Sequence, residues 1–79
     1  MTAEPARRAF RILTRTRGGY DDATMYDVQL QAVATGSLMW AQTFTDRAQA
    51  QAFELELERD LEELDEDEFR RKYGVPSGV

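Results

Sequence analysis

The sequence predicts an α+β fold: a three-stranded antiparallel β-meander packed on one long amphipathic helix, followed by a short C-terminal helix, in the order β-β-β-α-α. Across residues 46–64 the apolar side chains Ala50, Phe53, Leu57, Leu61 and Leu64 recur at spacings of three and four, which places them on one helical stripe. Across residues 25–34 the period falls to two, with Tyr26, Val28, Leu30 and Ala32 alternating against Asp27, Gln29, Gln31 and Val33. Turn-forming clusters flank that strand, Arg17-Gly18-Gly19-Tyr20-Asp21-Asp22 before it and Thr35-Gly36-Ser37 after it, so its neighbours fold back beside it.

Residues 1–6 have no periodicity and are expected to form a flexible leader, with residues 7–75 as a single domain and 76–79 as a tail. In the first strand, expected over 8–16, Phe10, Ile12 and Thr14 share one face and Arg11, Leu13 and Arg15 the other. The third strand, expected over 38–45, contains Trp40, the largest apolar residue, which belongs under the helix. If Leu38, Trp40 and Phe44 all face inward, Gln42 does too. Burying an unpaired amide is costly, so a bulge between Trp40 and Phe44 is expected. Asp46 is placed to cap the long helix, with Gln49 as its capping-box partner. Near Asp65 two readings remain open. A short second helix can start there, with Glu68 completing a capping box, Leu64 and Phe69 forming a staple, and Gly74 and Pro76 ending it. Alternatively the long helix runs on; Phe69 is buried either way, with Tyr73 on the same side.

At 79 residues the chain is close to the size below which one core yields little net stability. It has no cysteine and no histidine, which removes disulfides, thiolate nucleophiles, Cys-ligated zinc, the imidazole base and the commonest metal ligand. Paired carboxylates remain, Asp21-Asp22 and the run Asp65-Glu66-Asp67-Glu68, but a loop and a helix start keep such acids ionised and unsuited to general-acid work. The acidic run lacks the glycine and final glutamate of a calcium loop, and Gly18-Gly19 lacks the Lys-Ser/Thr and helix of a phosphate loop. The expectation is a protein that is not an enzyme, with no catalytic, cofactor or metal site. Neither a signal-like segment nor a membrane-length apolar run is present, so a cytoplasmic location with no membrane partner is expected.

Function must then lie in contact surfaces, and the charge distribution outlines two. Residues 1–45 carry five arginines against four acids, whereas residues 46–79 carry five basic residues against eleven acids. On the basic side, Arg11, Arg15 and Arg17 line one strand face with Gln29 and Gln31 beside them, a candidate nucleic-acid platform to which an outward Trp40 would add stacking. Three strands leading through Phe44-Thr45-Asp46 into an alanine-rich helix start resemble, in topology, the layout of arm-type and AP2-like DNA-binding domains. That resemblance implies sheet-mediated DNA contact; those domains, however, are basic throughout, and this chain is acidic. The ordinary reading of the same residues is a solvated sheet face.

The second surface lies on the long helix. At about 100° per residue, Ala48, Ala52 and Leu55 fall opposite the Phe53 stripe, a candidate protein-binding seam bordered by Glu58 and Glu62. Glu54, Glu58 and Glu62 form a like-charged i, i+4 row, a local cost that a basic partner would relieve. A lone exposed leucine on a solubilising face is the ordinary alternative. The leading expectation is a protein-interaction or accessory module using this acidic face, with a homodimer as one form of it and nucleic-acid binding as the alternative.

Overall fold

A computed structural model describes residues 4–18 and 23–75. A 3-10 turn at Ala6–Arg8 precedes strands β1 (Phe10–Gly18), β2 (Thr24–Ala32) and β3 (Leu38–Phe44) and helices α1 (Arg47–Glu63) and α2 (Glu66–Tyr73). The strands form one open antiparallel sheet in the order β1-β2-β3, and the helices pack on one face of it, the expected β-β-β-α-α fold. Expected loop residues 19–22, leader residues 1–3 and tail residues 76–79 lie outside the described residues.

The register follows from side-chain alternation. β1 and β2 pair without a break from Phe10 opposite Ala32 to Gly18 opposite Thr24, which puts Phe10, Ile12, Val28 and Leu30 on the helix side and Arg11, Leu13, Gln29 and Gln31 on the other. β3 continues the inner face with Trp40 opposite Leu30 and Phe44 opposite Tyr26. Its bulge is not where the sequence suggests. Gln31 pairs with Leu38 and Leu30 with Trp40, so Met39 is the extra residue, and the irregularity precedes Trp40. The bulge turns Leu38 to the outer face, where it is 55% exposed. Gln42 does sit on the helix side, opposite Val28, but it stays exposed because β3 is an edge strand; hydration removes the penalty that a bulge was expected to avoid.

Phe10, Val28, Leu30, Leu57 and Phe69 are the largest fully buried side chains, and the Phe10 and Phe69 rings stack at 5.4 Å. Leu57 carries the α1 stripe into this core, a burial that contributes about 1.5–3 kcal/mol. Phe53 packs at the margin against Trp40 (5.8 Å) and Phe44 (5.4 Å).

Asp46 caps α1 as expected, accepting from the Ala48 N–H at 2.8 Å, though Gln49 makes no return bond. The helix then ends rather than continuing. Leu64 turns to φ −96°, ψ 150°, and Asp65 opens α2 with a full capping box: the Glu68 N–H donates to Asp65 at 2.8 Å and the Asp65 N–H to Glu68 at 3.3 Å. Gly74, at φ 64°, closes α2 in the left-handed conformation that glycine adopts without steric cost. The break also docks the chain's start. The Leu64 carbonyl, turned out of the helix ladder, accepts from the Ala6 N–H at 2.8 Å, and Pro5 bridges to Asp65. Pro5 and Ala6 therefore do not belong to a loose leader; Ala6 is fully buried in the core.

Candidate protein-interaction site

All five residues of the proposed helix seam lie on the solvent side of α1. Ala48, Ala52, Leu55, Glu58 and Glu62 are each exposed, and Leu55, at 66%, is the most exposed of the large apolar residues described. The cap at Asp46 and the burial of Ala50, Leu57 and Leu61 fix the rotation of the helix, which is why this face is presented outward. The like-charged row is split by the fold. Glu58 and Glu62 stay in solvent, whereas Glu54 is half-buried in a cleft of about 400 Å³ between the sheet and the start of α1, lined also by Thr14, Thr16, Tyr26 and Arg47. Arg59, one turn beyond Leu55, is also exposed and adds a positive charge that the sequence reading left out.

The arginine face is built differently. Arg11, Arg15 and Arg17 alternate along β1 on the side away from the helices, in register with Gln31, Asp27 and Met25, and Gln29 sits opposite Leu13. Much of its charge is already engaged. Arg17 grips Asp27 through two bonds, Nε to Oδ2 at 2.7 Å and Nη2 to Oδ1 at 3.2 Å, and the Thr43 hydroxyl donates to the same carboxylate at 2.7 Å. The Arg17 and Thr43 bonds hold the Asp27 carboxyl below its ordinary pKa against the opposing effect of burial. Arg11 donates to Gln31 at 2.6 Å, and Gln31 donates on to the Gly36 carbonyl at 2.7 Å, so both are tied into the sheet and its turn. Trp40 lies on the opposite face, so the platform has no stacking indole.

A third polar cluster escaped the sequence reading. Asp60 is buried between α1 and α2, where it accepts from Lys72 Nζ at 2.6 Å and from the Tyr73 hydroxyl; Lys72 also approaches Glu56 at 3.4 Å. Burial pushes the Asp60 carboxyl up, but the Lys72 and Tyr73 bonds together outweigh it and hold the pKa below the ordinary value. The Tyr73 hydroxyl is pushed well above its ordinary range by burial and by Asp60. One sequence signal pointed here: Asp60 stands three residues after Leu57 and next to Leu61, an acid inside the apolar stripe.

Beside β3, Trp40, Gln42, Phe53, Lys72 and Tyr73 line a groove of about 500 Å³, and the Trp40 Nε1 is buried with no acceptor among the described residues. Among those residues no three acidic side chains gather as a metal site, and no helix is long and apolar enough to cross a membrane. Compared with protein-family models, curated proteins and solved structures, the chain matches none.

Proposed function

We propose that this chain is a non-catalytic module that binds a partner protein through the outward face of α1, centred on Leu55. The observation that carries this reading is the 66% exposure of Leu55 on a capped, core-anchored helix, where a large apolar side chain stands in water with no structural task. Its surroundings define the partner's chemistry. Ala48 and Ala52 allow close approach, and Glu58 and Glu62 favour a surface with a small apolar socket rimmed by basic residues. In the same reading the module works in the cytoplasm and needs no cofactor.

The test is Leu55→Asp. The side chain is outside the core, so the circular dichroism spectrum should be unchanged while capture of the partner protein weakens. If capture matches the parent, the reading is wrong.

Nucleic-acid binding by the outer sheet face is the weaker reading. What favours it is the exposure of Arg11, Arg15 and Arg17 on a face that no helix covers; what opposes it is the Arg17–Asp27 pair, which sets an acid among the arginines. It requires a salt-sensitive affinity for DNA or RNA that drops when Arg11 and Arg15 are changed to Ala, and no binding at low salt would end it.

A further inference from the structure

We infer that β3 is a homodimerisation edge: two copies pair β3 to β3 antiparallel about a two-fold axis at Gln42, giving one six-stranded sheet with the helices of both copies on the same face.

The order β1-β2-β3 leaves two open edges, each with a row of backbone N–H and C=O groups unpaired among the described residues. The two edges differ in charge. β1 carries Arg11, Arg15 and Arg17 on one face, and antiparallel self-pairing sets arginine against arginine, for instance Arg11 against Arg17 when the axis lies at Thr14. β3, Leu-Met-Trp-Ala-Gln-Thr-Phe, has no charged residue at all. An edge free of charge invites another strand, and an edge lined with like charges repels its own copy.

Pairing about Gln42 is self-complementary over the regular part of β3, from Trp40 to Phe44, beyond the bulge. Trp40 of one copy then lies opposite Phe44 of the other, a cross-strand aromatic pair. Ala41 meets Thr43 on the outer face. Gln42 meets Gln42, and a carboxamide, being both donor and acceptor, can pair with its own kind. The Gln42 side chain makes no hydrogen bond among the described residues, and the diagonal neighbour of each Trp40 is Gln42 of the second copy. A free carboxamide is thereby brought beside an indole N–H that is buried without an acceptor. The groove of about 500 Å³ along this edge leaves room for the incoming side chains. Growth stops at two copies, because both edges of the six-stranded sheet are then β1 with its arginines.

Sedimentation across a protein concentration series, from low micromolar to near millimolar, tests this on the full chain. The wild type should pass from monomer to dimer. Gln42→Lys, an exposed position that leaves the circular dichroism spectrum unchanged, places two like charges on the axis and should raise the dissociation constant about tenfold or more. Because the chain has no cysteine, Gln42→Cys gives a second readout: it should form an intermolecular disulfide under mild oxidation, far faster than Leu55→Cys, and urea should abolish the difference. Leu55→Asp should leave this dimer intact. A wild type that stays monomeric throughout, a dimer indifferent to Gln42→Lys, or cysteines at 42 and 55 that cross-link alike would each overturn the assignment.

Discussion

Tyr73→Phe isolates one hydrogen bond. The substitution removes only the hydroxyl that donates to Asp60 and keeps the ring, which packs on Phe69 at 4.5 Å and on Trp40 at 6.2 Å. A hydrogen bond to a charged group contributes about 1.5–3 kcal/mol. The lower part of that range applies, because Asp60 keeps its bond to Lys72 and is not left without a partner. A loss of about 1.5 kcal/mol lowers the melting temperature of a domain this small by about 6–12 °C. The pH dependence gives a second signature. The raised Tyr73 pKa means that the bond stabilises fully below the ordinary tyrosine value of 10.0 and is lost as pH rises through the folded value. The lowered Asp60 pKa means that stabilisation is present above the ordinary 3.8 and is lost as pH falls through the folded value. The stability difference between wild type and Tyr73→Phe is therefore flat across neutral pH and narrows at both extremes. Calorimetry measures the shift, and ultraviolet absorbance follows tyrosinate formation, in which Tyr73 should be the late group. A melting temperature within about 2 °C of the parent, or a late tyrosinate phase persisting in Tyr73→Phe, would refute the Asp60 bond.

Other perturbations test the frame around it. Leu57→Ala empties a fully buried position and should cost about 2–5 kcal/mol by denaturant titration, a large share of a small domain's stability. Asp65→Ala removes the capping box of α2 and should cost about 1 kcal/mol, with lost helicity in the far-ultraviolet spectrum; no change would mean that tertiary contacts alone hold the break at Leu64. Gly74→Ala forces a side chain into φ 64° and should cost about 1 kcal/mol in the same assay. The chain has no histidine, and Asp27 and Asp60 both sit below their ordinary 3.8, so stability should be level from mildly acidic to mildly alkaline pH, falling in acid as these two are protonated and in strong alkali as Lys72 and Tyr73 lose their protons.

The local elements were legible in the chain because their causes are local. The three-and-four spacing of Ala50, Phe53, Leu57 and Leu61, the alternation from Tyr26 to Ala32, and the caps at Asp46 and Asp65 each depend on residues within a turn or two of one another. The exposed seam of Ala48, Ala52, Leu55, Glu58 and Glu62 followed from the same periodicity, since the face opposite a buried stripe is outward. Whether the helix broke at Asp65 was open in the sequence, because capping and continuation are close in local energy; the docking of Ala6 on the Leu64 carbonyl accompanies the break.

Only the tertiary structure decided the contacts made across loops. Arg17 and Asp27 are ten residues apart, and Asp60 lies twelve and thirteen residues from Lys72 and Tyr73. Which charges meet over such separations depends on strand register and helix packing, to which a one-dimensional pattern is blind. The Met39 bulge, which turns Leu38 outward, and the solvation of Gln42 at an open edge have the same origin: they depend on which strand ends beside which, and on what covers the sheet. Sequence periodicity therefore determined the elements and the outward face of the helix, while the packing of distant segments decided which charges on the surface remain free for a partner.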